Sequence, residues 1–170
     1  MDLEMVAMRL IHIGLGVFWA GAIFFIVLFL EPSVRAAGPD GARVMQGIQQ
    51  RKLLTILPVA AALTILSGIA LYWRASVGFN TDWMASRNGV TLTTGAVAAI
   101  VAFLIGVFVM RASTLEAGRL AAKAQQSEGE AQAALMTQVQ ALRLRARTSA
   151  RWVAALLTVA VATMAVARYL

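Results

Sequence analysis

Four long apolar runs, a low share of charged residues and basic residues gathered largely between the runs predict an all-α, polytopic membrane protein. The architecture expected is a four-transmembrane-helix bundle with a cytoplasmic helical hairpin extension between helices three and four. Hydrophobic residues make up 60% of the 170 and charged residues 14%, against about 45–50% and about 25% in soluble domains. A helix needs about 20 predominantly apolar residues to cross the hydrocarbon core. The length suits a single domain, residues 1–170.

The first run extends from Met5 to Leu30. Its leader, "MDLEMVAMRL", is acidic where a signal peptide carries positive charge, and the apolar stretch exceeds the usual signal core, so a retained helix is expected. Glu31-Pro32 is expected to close it, because proline disfavours helical geometry in the residue before it. The second run, Leu53 to Trp73, contains Pro58; the missing backbone donor there predicts a kink or a late start. The third runs from Val90 to Met110 and the fourth from Trp152 to Tyr169.

Between the last two runs, residues 111–151 are rich in Ala, Leu, Gln, Glu, Lys and Arg, all good helix formers. Ser127 and Glu130 of "SEGE" have capping-box spacing, which predicts a helical hairpin turning near Gly129. Leu135, Val139, Leu142 and Ala146 make one stripe suited to packing against the extension of helix three. A flexible loop is the alternative.

Lys and Arg set the orientation. Arg35, Arg43, Arg51 and Lys52 fall between helices one and two, and seven more, from Arg111 to Arg151, between three and four; only Arg9, Arg74, Arg87 and Arg168 mark the other side. Both termini are therefore expected outside the cytoplasm. Trp73 and Trp83 then belong to the outer interfacial belt and Trp152 to the inner one. The outer loop "YWRASVGFNTDWMASRNG" reads as an interfacial cap or a partner surface, with Asp82 near Arg87 as a minor ion pair.

Several chemistries find no support. Thiolate sites and disulfides are excluded by the absence of cysteine. Helices two to four carry no charged residue or histidine in their central parts, whereas pumps and coupled transporters are built from such groups. Metalloprotease, phosphate-loop, dinucleotide and nucleophile-elbow patterns are missing, so the expectation is a protein that is not an enzyme. The net charge of +7 follows topology rather than a soluble basic face, and no nucleic-acid partner is expected.

The single histidine, His12, shares a helix face with Met8, Gly16 and Ala20, with Met5 and Trp19 beside them. Small residues let helix backbones approach closely in lipid, so this face is expected to look inward. Similar stripes occur at Ala60, Thr64 and Gly68, at Ala98, Ala102 and Gly106, and at Ala154, Thr158 and Ala162. Gly16, Ala20, Gly68 and Gly106 are the principal helix-packing candidates. His12 itself has three readings: an imidazole hydrogen-bonded to a neighbouring carbonyl or hydroxyl, an axial ligand to haem or a chlorophyll-type pigment, or a copper ligand with Met5 and Met8, since thioethers select Cu(I). Arg143, Arg147 and Arg151 recur every four residues as a ridge that either anchors topology or binds anionic lipid headgroups or an acidic partner.

"RLIHIGLGVFWAGAIFFIVLFLEPSVR", with His12, Trp19, Gly21 and Pro32, resembles the first helix of small bacterial membrane proteins related to copper-resistance protein D. It is also similar to the first helix of the protoporphyrinogen oxidase family, and "LTILSGIALYW" to the second helix of the former group. These resemblances imply a helical fold in the bacterial inner membrane and a role in copper or haem handling. The residues themselves favour an accessory or structural subunit among other membrane-protein subunits, with cofactor binding through His12 as the alternative and a membrane oxidoreductase of the haem-pathway type as the third reading.

Overall fold

The computed structural model describes residues 2–170, and among them every regular element is a helix. Helix α1 (Leu3–Phe25) starts where the Asp2 carboxylate accepts a hydrogen bond from the Met5 N–H at 3.3 Å. It runs through a wide π turn at Ile26–Leu30 into α2 (Glu31–Ala36). The first long helix therefore extends to Ala36, beyond the end expected at Glu31-Pro32. The Glu31 N–H reaches five residues back to the Ile26 carbonyl, and this wide turn changes the bonding register just before the proline. Pro32 then sits in the first turn of α2, where a missing N–H is tolerated.

Helix α3 (Pro39–Gln50) lies between the first two long helices, in a segment for which the sequence suggested only basic residues. Helix α4 (Leu53–Ala75) passes through Pro58 and starts at Leu53, so the late start does not occur. After the short α5 (Thr81–Ala85), α6 (Arg87–Ile105) is capped by the Ser86 hydroxyl, which accepts from the Gly89 N–H at 3.1 Å. A second π turn, Gly106–Arg111, leads without a break into α7 (Ala112–Ala124). After four intervening residues α8 begins and runs from Gly129 to Val166, ending in a short 3-10 turn, Ala167–Tyr169.

Two local expectations need correction. The capping box does not form: Glu128 occupies the position before α8 with no side-chain cap, and the Ser127 hydroxyl donates back to the Lys123 carbonyl at 3.1 Å. The hydroxyl thus adds a second donor to a carbonyl that the Gln126 N–H already bonds at 3.1 Å, and serves no donor of the next helix. Among the described residues Asp82 makes no ion pair with Arg87, because the extended Ser86 separates their helices. Arg74 pairs with Asp2 and Glu4 instead, tying the start of the chain to the end of α4.

Four helices are long and apolar enough to cross a membrane, spanning Leu3–Ala36, Leu53–Ala75, Arg87–Ala124 and Gly129–Tyr169. Helix α1 packs chiefly on α4, and α6 chiefly on α8. Trp19, Ala20 and Ile23 of α1, Leu57 and Ala61 of α4, Ala102 of α6, and Val153 and Leu157 of α8 form the shared core. Large apolar side chains such as Leu10, Phe29, Leu66 and Phe108 point outward and are exposed. The exterior is thus greasy while the interior is lined largely by small residues, the inverse of a soluble bundle.

Candidate functional site

Small residues on α1 and α4 bring His12 against the neighbouring backbone. Gly16 approaches Thr64, where an added methyl would lie 3.4 Å from its Cγ2. A methyl at Gly68 would lie 2.7 Å from His12 Cε1, so the glycine creates the space that the imidazole occupies. In that space His12 Nδ1 is 2.8 Å from the Thr64 carbonyl oxygen. A carbonyl only accepts, so Nδ1 carries the hydrogen and a neutral ring leaves Nε2 unprotonated. Thr64 is held in turn by its hydroxyl, which donates to the Ala60 carbonyl at 2.8 Å, and Ser67 Oγ lies 3.0 Å from the same Thr64 oxygen.

This arrangement has two chemical capacities. The Nδ1 bond satisfies one ring nitrogen and fixes the tautomer. A backbone carbonyl on Nδ1 is also what commonly orients an imidazole whose Nε2 holds a metal. Met5 and Met8 share α1 with His12 and are half-buried. Among the described residues, no group of three or more His, Cys, Asp or Glu side chains could hold a metal ion.

The remaining predicted residues lie apart from His12. Ala20 is buried in the common core. Gly106 begins the second π turn and lines a cleft; a methyl there would meet nothing within 4 Å. Arg143 and Arg151 are exposed, whereas Arg147 Nε lies 2.8 Å from Glu31 Oε1, with 33% and 18% of the two side chains exposed. The N–H is not aimed at that oxygen, which is buried without a hydrogen bond, so the contact is an ion pair held by charge. The three arginines are therefore not equivalent: the middle one joins α8 to the end of the first long helix.

Two features escaped the sequence reading. Arg111 Nε–H donates to the Leu54 carbonyl at 2.8 Å, the carbonyl that residue 58 would bond if it were not proline. The orphaned acceptor at Leu54, four residues before Pro58, is the signal that could have pointed to a donor from another helix. Gly95 is the second: a methyl there would lie 2.5 Å from Thr163 Oγ1 and 3.3 Å from the Ala160 carbonyl, so it sets the approach of α6 to α8. At the opposite end from Arg111, Tyr72 and Thr93 share a hydrogen bond of 2.6 Å, and Trp83 meets the Tyr72 ring edge-on with centroids 5.5 Å apart. Compared with known proteins, the chain matches no family model, no curated protein and no solved structure.

Proposed function

We propose that the chain is a non-catalytic integral protein of the bacterial inner membrane that acts as an accessory or structural subunit of a larger membrane complex. The observation that carries this reading is how the polar groups of the apolar helices are used. His12 is bonded to Thr64, Arg111 to Leu54 and Tyr72 to Thr93, each joining one helix to another. Such bonds fix helix positions and leave few groups free for turnover.

In this reading both termini lie outside, and the basic end of the bundle lies in the cytoplasm. The segment Arg87–Ala124 has 38 residues, about 57 Å at about 1.5 Å per residue, against a hydrocarbon core about 30 Å thick. Its excess, with the first half of α8, forms a cytoplasmic helical hairpin available to partner subunits. The test is gentle extraction from native membranes, followed by native electrophoresis and identification of co-migrating chains. A colourless assembly much larger than 18.1 kDa with defined partners is expected; a lone chain of that mass overturns the reading.

The Nε2 of His12, the ring nitrogen not bonded to Thr64, favours a second reading, a haem or chlorophyll-type pigment site in which a second axial ligand comes from another subunit. Copper held with Met5 and Met8, whose thioethers suit Cu(I), is the variant of this reading. A Soret or pigment band, or stoichiometric copper, that disappears in His12→Ala would establish this reading in place of the first.

A further inference from the structure

The seam between α4 and the second π turn is open where Arg111 crosses it. A cleft of about 190 Å³ lies there, lined by Leu54, Thr55, Pro58, Val59, Val107 and Arg111, and a smaller space reaching Trp19 and Phe103 continues inward from four of the same residues. The walls are aliphatic apart from the Thr55 hydroxyl and the guanidinium. The volume is below the about 300–1,000 Å³ typical of small-molecule pockets, so a slender hydrocarbon chain fits where a tetrapyrrole ring does not.

Charge selects the other part of the occupant. Arg111 uses Nε on Leu54, and among the described residues its two Nη groups form no hydrogen bond or ion pair. Arg51 and Lys52 immediately precede α4, are exposed, and likewise pair with no carboxylate. Three acids at this end are engaged elsewhere, Asp40 by Arg43, Glu116 by Arg119 and Glu31 by Arg147, and Glu128 and Glu130 lie at the start of α8. Arg111 therefore lines the apolar cleft, and two more cations without acidic partners immediately precede the first turn of α4, whose Leu54 and Thr55 line it.

We infer that this cleft binds an anionic phospholipid, its phosphodiester held by Arg111, Arg51 and Lys52 and one acyl chain lying along Pro58, Val59 and Val107. A guanidinium is suited to the headgroup because its planar fork matches phosphate oxygens. The occupant fills the thin seam between the α1/α4 and α6/α8 pairs and so stabilises their association. The inference rests on the chain spanning a bilayer, as proposed above, and is independent of whether it has partner subunits.

The test is the thermal unfolding midpoint of the full chain in a neutral maltoside detergent, with phosphatidylglycerol, phosphatidylcholine or inorganic phosphate added in turn. Phosphatidylglycerol is expected to raise the midpoint by several degrees, and the other two to leave it unchanged. Thr55→Trp, which fills the cleft from an exposed position, is expected to abolish the shift, and Lys52→Gln to weaken apparent affinity about fivefold. Arg111→Gln should also abolish it; if that variant does not fold, Thr55→Trp decides. An equal shift with phosphatidylcholine or with inorganic phosphate, or a phosphatidylglycerol shift that survives Thr55→Trp, overturns the inference. A chain that stays monodisperse without detergent would instead refute the membrane reading on which it rests.

Discussion

At the scale of single residues, the space around His12 is made by an absence. Gly68→Ala places a methyl 2.7 Å from the ring, so the imidazole must turn away from Thr64. The expected cost is about 1–3 kcal/mol, typical of overpacking, measured as a lowered unfolding midpoint in detergent. Gly14→Ala, where a methyl meets nothing within 4 Å, is the control and should stabilise by about 0.5–1 kcal/mol through helix propensity. Asp2 offers a pH signal at the start of the chain. The Met5 N–H first, and then Arg74, hold its carboxyl below the ordinary value of 3.8. Because the pKa is lowered in the folded state, the contribution is present above about pH 4 and is lost as pH falls through the lowered pKa. The midpoint of the wild-type chain should therefore drop more between about pH 5 and about pH 3 than that of Asp2→Asn. The apolar face bearing His12 was legible from four-residue spacing, but its partner was not, since Thr64 offers a main-chain oxygen that every residue type possesses.

At the scale of elements, the two prolines show how local signals yield to context. Pro32 reads as a stop, yet the π turn before it lets the helix continue to Ala36. Pro58 reads as a fault in α4, yet Arg111 supplies the donor that the proline lacks. The bond predicts a coupling: Arg111→Met should destabilise by about 1–3 kcal/mol by leaving a half-buried carbonyl unsatisfied. In a Pro58→Ala background the same change should cost much less, since the restored N–H bonds Leu54; equal costs in the two backgrounds would refute the compensation. The Glu31–Arg147 pair joins two other elements. Arg147→Ala leaves a mostly buried carboxylate without its partner and should cost more than the double change Glu31→Gln with Arg147→Gln. The sequence reading placed Arg147 with Arg143 and Arg151 because a four-residue period sees only one helix; the carboxylate lies over a hundred positions away along the chain.

At the scale of the whole molecule, helical segments of 38 and 41 residues are longer than the about 20 residues that cross a hydrocarbon core, and the proposed topology places their excess on the cytoplasmic side. A cysteine at the exposed Gln126 should react with an impermeant maleimide only after the cytoplasmic membrane is breached, and one at Phe79 should react in intact spheroplasts; the reverse pattern would invert the topology. Composition and charge spacing by themselves determined that this chain is helical and has four runs apolar enough to span a bilayer, because each apolar run is contiguous and its cost of exposure to water is local. Only the tertiary structure decided that α1 pairs with α4 and α6 with α8, that Arg111 serves Leu54, and that a cleft remains between the pairs. Those outcomes depend on which faces of different helices meet, and on single missing methyl groups such as those of Gly68 and Gly95. Residues distant along the chain carry no mutual periodicity that would reveal such meetings.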